Sequence, residues 1–261
     1  MNLAYSEKGN LNAPALVLIH AFPMNRRMWQ HQLEDLSDIL RVVAPDLPGF
    51  GESPGLVEEK SMAAFAREVV LLLDQLSIRK AVFGGCSMGG YILFELWRQA
   101  PERFAGMILC DTRCEADSPE ARENRMKTIA QIREQGAAPL EAMLAKLICG
   151  ETAANRKELA EEIRQVILST QQNSAVDALR ALADRPDSSE TLAGVIVPAL
   201  AIVGEKDAVS PPEVVRFMQE KIRGATLAVI PNAGHLSPLE NPQAVNGAIR
   251  EFLWEYKIIG R

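Results

Sequence analysis

GGCSMGG, residues 84–90, sets glycine pairs on both sides of a cysteine and a serine, so two possible nucleophiles stand side by side. The core of this stretch, GCSMG at 85–89, fits G-x-S-x-G. That pattern gains meaning from its surroundings. The apolar run AVFG precedes it and the helical pattern MGGYILFELWRQA (88–100) follows it. A sharp turn between strand and helix forces the central residue into a strained backbone and lifts its side chain clear of the sheet. Glycines two positions before and after let neighbouring backbones approach without Cβ clashes. Ser87 is that central residue. Cys86 lies one position off, so its thiol is expected to point inward as a small buried hydrophobe.

Further runs of the same kind surround this one. ALVLIH (15–20), RVVAPD (41–46), KAVFGG (80–85), GMILCD (106–111), VPALAIVGEKD (197–207) and ATLAVIP (225–231) read as six strands. They are nearly continuous in apolar character, as expected for parallel strands covered by helices on both faces. Helices are expected at 61–77, 88–100, 211–222 and 242–256, with Ser61 and Pro242 as helix-start residues. Strand–helix alternation means a doubly wound α/β fold. From about 115 to 190 the rhythm breaks into helical spacing alone, punctuated at Gly136, Pro139, Gly150 and Pro186. The expected division is therefore a core of residues 1–112 and 191–261 with a helical cap, 113–190, inserted in it. The tail KIIGR (257–261) is expected to fray.

A serine hydroxyl needs a base, and the chain has three histidines. His31 sits among polar residues on an expected surface helix. His20 ends a strand. His235, in PNAGHLSP, follows the last strand, where an open α/β sheet places its site, so it is the base candidate. An imidazole base needs an acceptor on its other nitrogen. Asp207, in VGEKDAVSP, is favoured because it gives the chain order Ser, Asp, His. Asp111, also at a strand end, is a rival, and otherwise anchors the entry to the cap. For the oxyanion, the Met88 amide opens the helix after Ser87, and the Phe22 amide lies in the loop HAFP (20–23), which His20 would hold. Gly49 and Gly51 of PDLPGFGES are turn glycines, since a P-loop lysine is missing.

HAFP, PDLPGFGES, GCSMGG, GEKDAVSP and AGH, in this order, resemble the α/β-hydrolase superfamily over essentially the whole chain apart from the cap. GFGES, SMGG and the all-helical cap are similar to small bacterial carboxylesterases, enol-lactonases and non-haem haloperoxidase-like esterases. The resemblance implies Ser87 as nucleophile, Asp207 as acid, His235 as base, and Phe22 and Met88 as oxyanion amides. It also implies an eight-stranded, mostly parallel sheet whose first two strands lie in residues 2–13. Dehalogenases and epoxide hydrolases of this fold carry Asp at the elbow, so Ser87 disfavours both activities. Two positions depart from the family: Ala21 where glycine is usual, which would cost about 1 kcal/mol if φ were positive, and small Cys86 where a bulky residue is usual.

The expected activity is hydrolysis of small or medium esters through an acyl-enzyme, with no cofactor. The alternatives are an enol-lactone or C–C bond hydrolase of aromatic degradation, or a slow-turnover ligand receptor. Val209 and Leu236 are candidate apolar walls. Arg113 either binds a substrate carboxylate or fixes the cap through Glu115, Asp117 or Glu120, with Arg122 and Arg125 nearby. A net charge of −6 argues against nucleic-acid or anionic-membrane partners. The first residues lack a signal-peptide pattern, and four cysteines without C-x-x-C spacing read as buried thiols of a cytoplasmic protein. Cys110 and Cys114 lack the rest of a metal-ligand set.

Overall fold

A computed structural model describes residues 2–259. Along the chain come β1 (Tyr5–Lys8), β2 (Ala15–Ile19), α1 (Gln30–Leu36), β3 (Arg41–Pro45), α2 (Met62–Gln75), β4 (Ala81–Cys86), α3 (Met88–Gln99) and β5 (Phe104–Cys110). Seven helices follow without a strand: α4 (Pro119–Gln135), α5 (Ala138–Glu141), α6 (Leu144–Leu147), α7 (Gly150–Asn155), α8 (Lys157–Ser169), α9 (Gln172–Ala183) and α10 (Ser189–Leu192). The core resumes with β6 (Ala199–Gly204), α11 (Pro212–Lys221), β7 (Thr226–Ile230), α12 (Ser237–Glu240) and α13 (Pro242–Glu255).

The strands form one sheet in the order β1-β3-β2-β4-β5-β6-β7, parallel except for β1, which runs antiparallel to β3. Strand β2 is the pivot. The chain moves outward to β3 on one side, then crosses back to β4 and continues to β7 on the other. The crevice beyond the β2 and β4 ends is therefore the topological switch point where such sheets bind ligands. The middle strands β2, β4 and β6 are buried at every residue, as their apolar runs require. At the edge, β7 is only partly covered and exposes Val229.

The helix boundaries follow local chemistry. The Ser61 hydroxyl accepts from the Ala64 amide to open α2, and the Asn241 side chain caps α13 ahead of Pro242. Helix α8 buries Leu159, Ile163, Val166 and Ile167, one face at helical spacing.

Two sequence expectations change. The sheet has seven strands among the described residues, not eight, because residues 2–13 contribute β1 alone; residues 10–13 form a turn closed by Ala13 N–H to Asn10 O, 2.9 Å. The tail does not fray at Ile258 and Ile259, which pack on the core, with amides bonded to Leu253 O. Residues 260 and 261 of that expectation lie outside the described residues.

Candidate active site

Ser87 stands between β4 and α3 at φ 50° and ψ −111°, a left-handed backbone that costs an L-residue energy unless its neighbours hold it. Its amide donates to Cys110 O at 2.9 Å, and its carbonyl accepts from Thr112 Oγ1 at 2.8 Å. The glycines permit this turn. A Cβ on Gly85 would lie 2.5 Å from the Gly89 backbone, and one on Gly89 would lie 2.3 Å from Ile19 O. Helix α3 thus rests directly on the ends of β2 and β4.

His235 reaches Ser87 from the loop after β7, across 148 residues of sequence. Its Nε2 lies 2.8 Å from Ser87 Oγ and its Nδ1 lies 2.8 Å from Asp207 Oδ2. A hydrogen on Nδ1 donating to the carboxylate leaves Nε2 free to accept from the serine. Asp207 is held in turn, its Oδ1 accepting from the Val209 and Ser210 amides at 2.7 and 2.9 Å. His235 and Asp207 are buried while Ser87 is half-exposed. An alcohol, an imidazole and a carboxylate in this series can pass the serine proton to the imidazole as the oxygen attacks.

Phe22 and Met88 both lie at the switch point. The Phe22 amide makes no hydrogen bond among the described residues, and Met88, as first residue of α3, has no partner one turn back. His20 fixes the loop carrying Phe22: its Nδ1 donates to Ala21 O at 2.9 Å and its Nε2 accepts from Leu47 N at 3.0 Å. Burial lowers the His20 pKa to about 4, so the ring is neutral at pH 7 and can play both roles. Ala21 is not among the residues with positive φ, so the glycine usual there is not needed. The loop after β3 is tied by Asp46, which accepts from the Arg26 and Glu52 amides and pairs with the Arg26 guanidinium. Gly49 and Gly51 adopt φ of 84° and 53° as its turn residues.

Among the described residues the Asp111 carboxylate makes no hydrogen bond to His235 and none to the helical segment. Oδ1 accepts from Gly204 N at 2.8 Å, and Oδ2 from Ser237 Oγ at 2.6 Å and Ser237 N at 3.1 Å. It therefore ties the end of β6 to the histidine loop, three residues before Asp207 and two after His235. Burial, reinforced by the neighbouring Asp207 charge, pushes its pKa up to about 7. The Cys86 and Cys110 thiols also approach Oδ2, at 3.9 and 3.2 Å. These three residues have metal-ligand types within reach of one another, but burial pushes the Cys86 thiol up to about 11, and the thiols act as hydrogen-bond donors. Cys114 belongs elsewhere, 3.4 Å from Ser189 Oγ. All four cysteines are free and buried. His31, expected at the surface, is half-buried on α1.

Arg113 pairs with none of Glu115, Asp117 and Glu120. Its guanidinium donates to Val209 O, while Asp117 holds Arg125 and Arg185, and Arg122 pairs with Asp184. Val209 is half-buried and Leu236 fully buried. An open groove of about 650 Å³ between Met24, Met28 and Leu239 on one side and Leu159, Ile163 and Val166 of α8 on the other lies outside the triad, since none of Ser87, Asp207 and His235 lines it. Thr112 and Ser237, whose hydroxyls donate to Ser87 O and Asp111 Oδ2, were not expected from the sequence. Their only signal was adjacency, to a strand-end aspartate and to the base.

Three comparisons bear on this arrangement. A thermophilic esterase from Thermogutta terrifontis, solved with malate bound, is 43% identical with a TM-score of 0.92, covering 96% of this chain and 92% of that one. The enol-lactonase from Burkholderia xenovorans LB400 is 28% identical with a TM-score of 0.89, covering 96% of both chains. 3-Oxoadipate enol-lactonase 2 of Acinetobacter baylyi is 30% identical, over 95% of this chain and 91% of that protein. Residues 14–242 match the family described as alpha/beta hydrolase fold. With a seven-stranded, mostly parallel sheet and an Asp–His–Ser series at its switch point, the chain belongs to the alpha/beta hydrolase family.

Proposed function

We propose that this protein is a serine hydrolase that cleaves small carboxylic esters through an acyl-enzyme intermediate. The unbroken hydrogen-bonded series from Asp207 through His235 to Ser87 carries the reading, and relatives named esterase and enol-lactonase support it. Ser87 Oγ attacks the ester carbonyl as His235 Nε2 takes its proton, and Asp207 steadies the imidazolium through Nδ1–H. The Phe22 and Met88 amides, with the positive end of α3, receive the oxyanion. His235 then protonates the departing alcohol. It next takes a proton from water, which attacks the acyl-enzyme, and returns that proton to Ser87 as the acid leaves.

The helices of 113–190 serve as the cap over this site, and substrate enters between them and the strand ends. Enol-lactone hydrolysis is a second reading with the same chemistry, favoured by the relatives named enol-lactonase. No helix of the described residues is long and apolar enough to cross a membrane.

Hydrolysis of p-nitrophenyl acetate, butyrate and octanoate by parent and Ser87→Ala proteins tests the reading. Multiple turnovers by the parent and a drop of about 10³-fold or more in the variant are expected. Parent-like turnover by Ser87→Ala would remove Ser87 from the chemistry.

A further inference from the structure

Every arginine that is at least partly buried, save one, holds a carboxylate among the described residues. The exception is Arg113. It is half-buried, and its recorded bond runs from the guanidinium to a backbone carbonyl, Val209 O. Both ends of this residue are fixed at the candidate site. Its backbone follows Thr112, whose hydroxyl is bonded to Ser87 O at 2.8 Å. Its guanidinium is bonded to the loop whose Val209 amide holds Asp207. The side chain therefore spans from the serine turn to the acid loop, on the side of the sheet where the strands end.

Two carboxyl groups lie at the same strand ends. Asp207 and Asp111 are both buried there, and the carboxylates nearest in sequence either hold other cations, as Asp117 does, or do not reach Arg113. A guanidinium has five N–H donors in a planar fork, and one bond to a carbonyl leaves the others available to a carboxylate in bidentate geometry. Half-burial strengthens such a pair relative to one in open water.

On the reading of the site as an ester hydrolase, we propose that Arg113 is a specificity-determining residue that selects esters or lactones bearing a free carboxylate remote from the bond to be cleaved. The acid loop presents the guanidinium through Val209 O, so the anionic end of the substrate is anchored beside the triad and the neutral ester is left over Ser87.

The test is the ratio of kcat/KM for monoethyl adipate to that for ethyl heptanoate, followed by pH-stat in the parent, Arg113→Met and Arg113→Lys proteins. Loosening of the Asp207 loop by the substitution acts on both substrates and cancels in the ratio. The parent is expected to favour the monoester by about tenfold or more, the range of a charge-assisted hydrogen bond. Arg113→Met should bring the ratio to about one or below, carried by KM, and Arg113→Lys should keep part of the preference. Succinate should inhibit p-nitrophenyl acetate hydrolysis competitively in the parent and about tenfold more weakly in Arg113→Met.

Turnover of both esters with no preference in the parent, or a preference that survives Arg113→Met, overturns the assignment of Arg113 while leaving the hydrolase reading intact. If no ester is turned over, the hydrolase reading fails, and the melting temperature with succinate decides Arg113 alone. Succinate stabilising the parent but not Arg113→Met supports the site, and equal or absent stabilisation overturns it. If Arg113→Met does not fold, Arg113→Gln takes its place in each comparison.

Discussion

Gly89→Ala probes the contact on which the serine turn rests. A Cβ at position 89 would lie 2.3 Å from Ile19 O, 2.9 Å from Ile19 C and 3.2 Å from His20 O, all backbone atoms. Ordinary contact would be restored only if α3 and the end of β2 separated by about 1 Å. Overpacking of this kind costs about 1–3 kcal/mol. For a chain of this size that lowers the melting temperature by about 3–10 °C. The same movement shifts the first turn of α3 against the Phe22 loop and against His235, and a misplacement of about 1 Å can cost about 100-fold in rate. Gly84→Ala is the internal control. Its Cβ would meet Leu18 Cδ2 at 2.7 Å, the far end of a side chain that can turn away. Calorimetric melting and kcat/KM on p-nitrophenyl butyrate read both effects. A Gly89→Ala protein with parent stability and rate, or a Gly84→Ala protein equally damaged, would refute the close-packing argument.

Asp207→Asn should lower kcat by about 10³- to 10⁴-fold by leaving His235 without its acceptor, whereas Asp111→Asn should cost about tenfold, through loosening of the Ser237 and Gly204 contacts; steady-state kinetics showing the reverse order would make Asp111 the acid. Folding stability offers a separate readout. Asp111, at about 7 in the folded protein against 3.8 ordinarily, favours the folded state fully below pH 4, and this is lost as pH rises to 7. His20, lowered to about 4 from 6.5, works the other way, and its contribution is lost as pH falls. The two oppose each other between about pH 4 and 6.5. Urea unfolding should therefore show Asp111→Asn losing stability on acidification more steeply than the parent, by a few kcal/mol across that window, and parallel profiles would count against the buried-carboxylate account.

What the sequence determined about this protein is what local chemistry encodes. The apolar runs at 15–20, 80–85 and 106–111 have one stable solution, parallel strands between helical layers, and the structure places β2, β4 and β5 there. The glycine spacing around Ser87 is equally local, because a turn that lets α3 touch β2 tolerates no Cβ at positions 85 and 89. The strand-end positions of Ser87, Asp207 and His235 follow from where the apolar runs stop, and the helix starts at Ser61 and Pro242 from local chemistry. The single antiparallel β1 was not legible, since four half-covered residues, YSEK, carry no apolar pattern and owe their strand to pairing with β3. Nor were the partners of the charged groups. Asp111 finds Ser237 126 residues away, Arg113 finds Val209 96 residues away, and Asp117 pairs with Arg125 and Arg185 instead of Arg113. Sequence neighbours such as Glu115 and Glu120 offered Arg113 a closer match on paper. Tertiary structure decided otherwise because hydrogen-bond partners are chosen by distance and direction across the strand ends, and those are set only when the sheet closes its register.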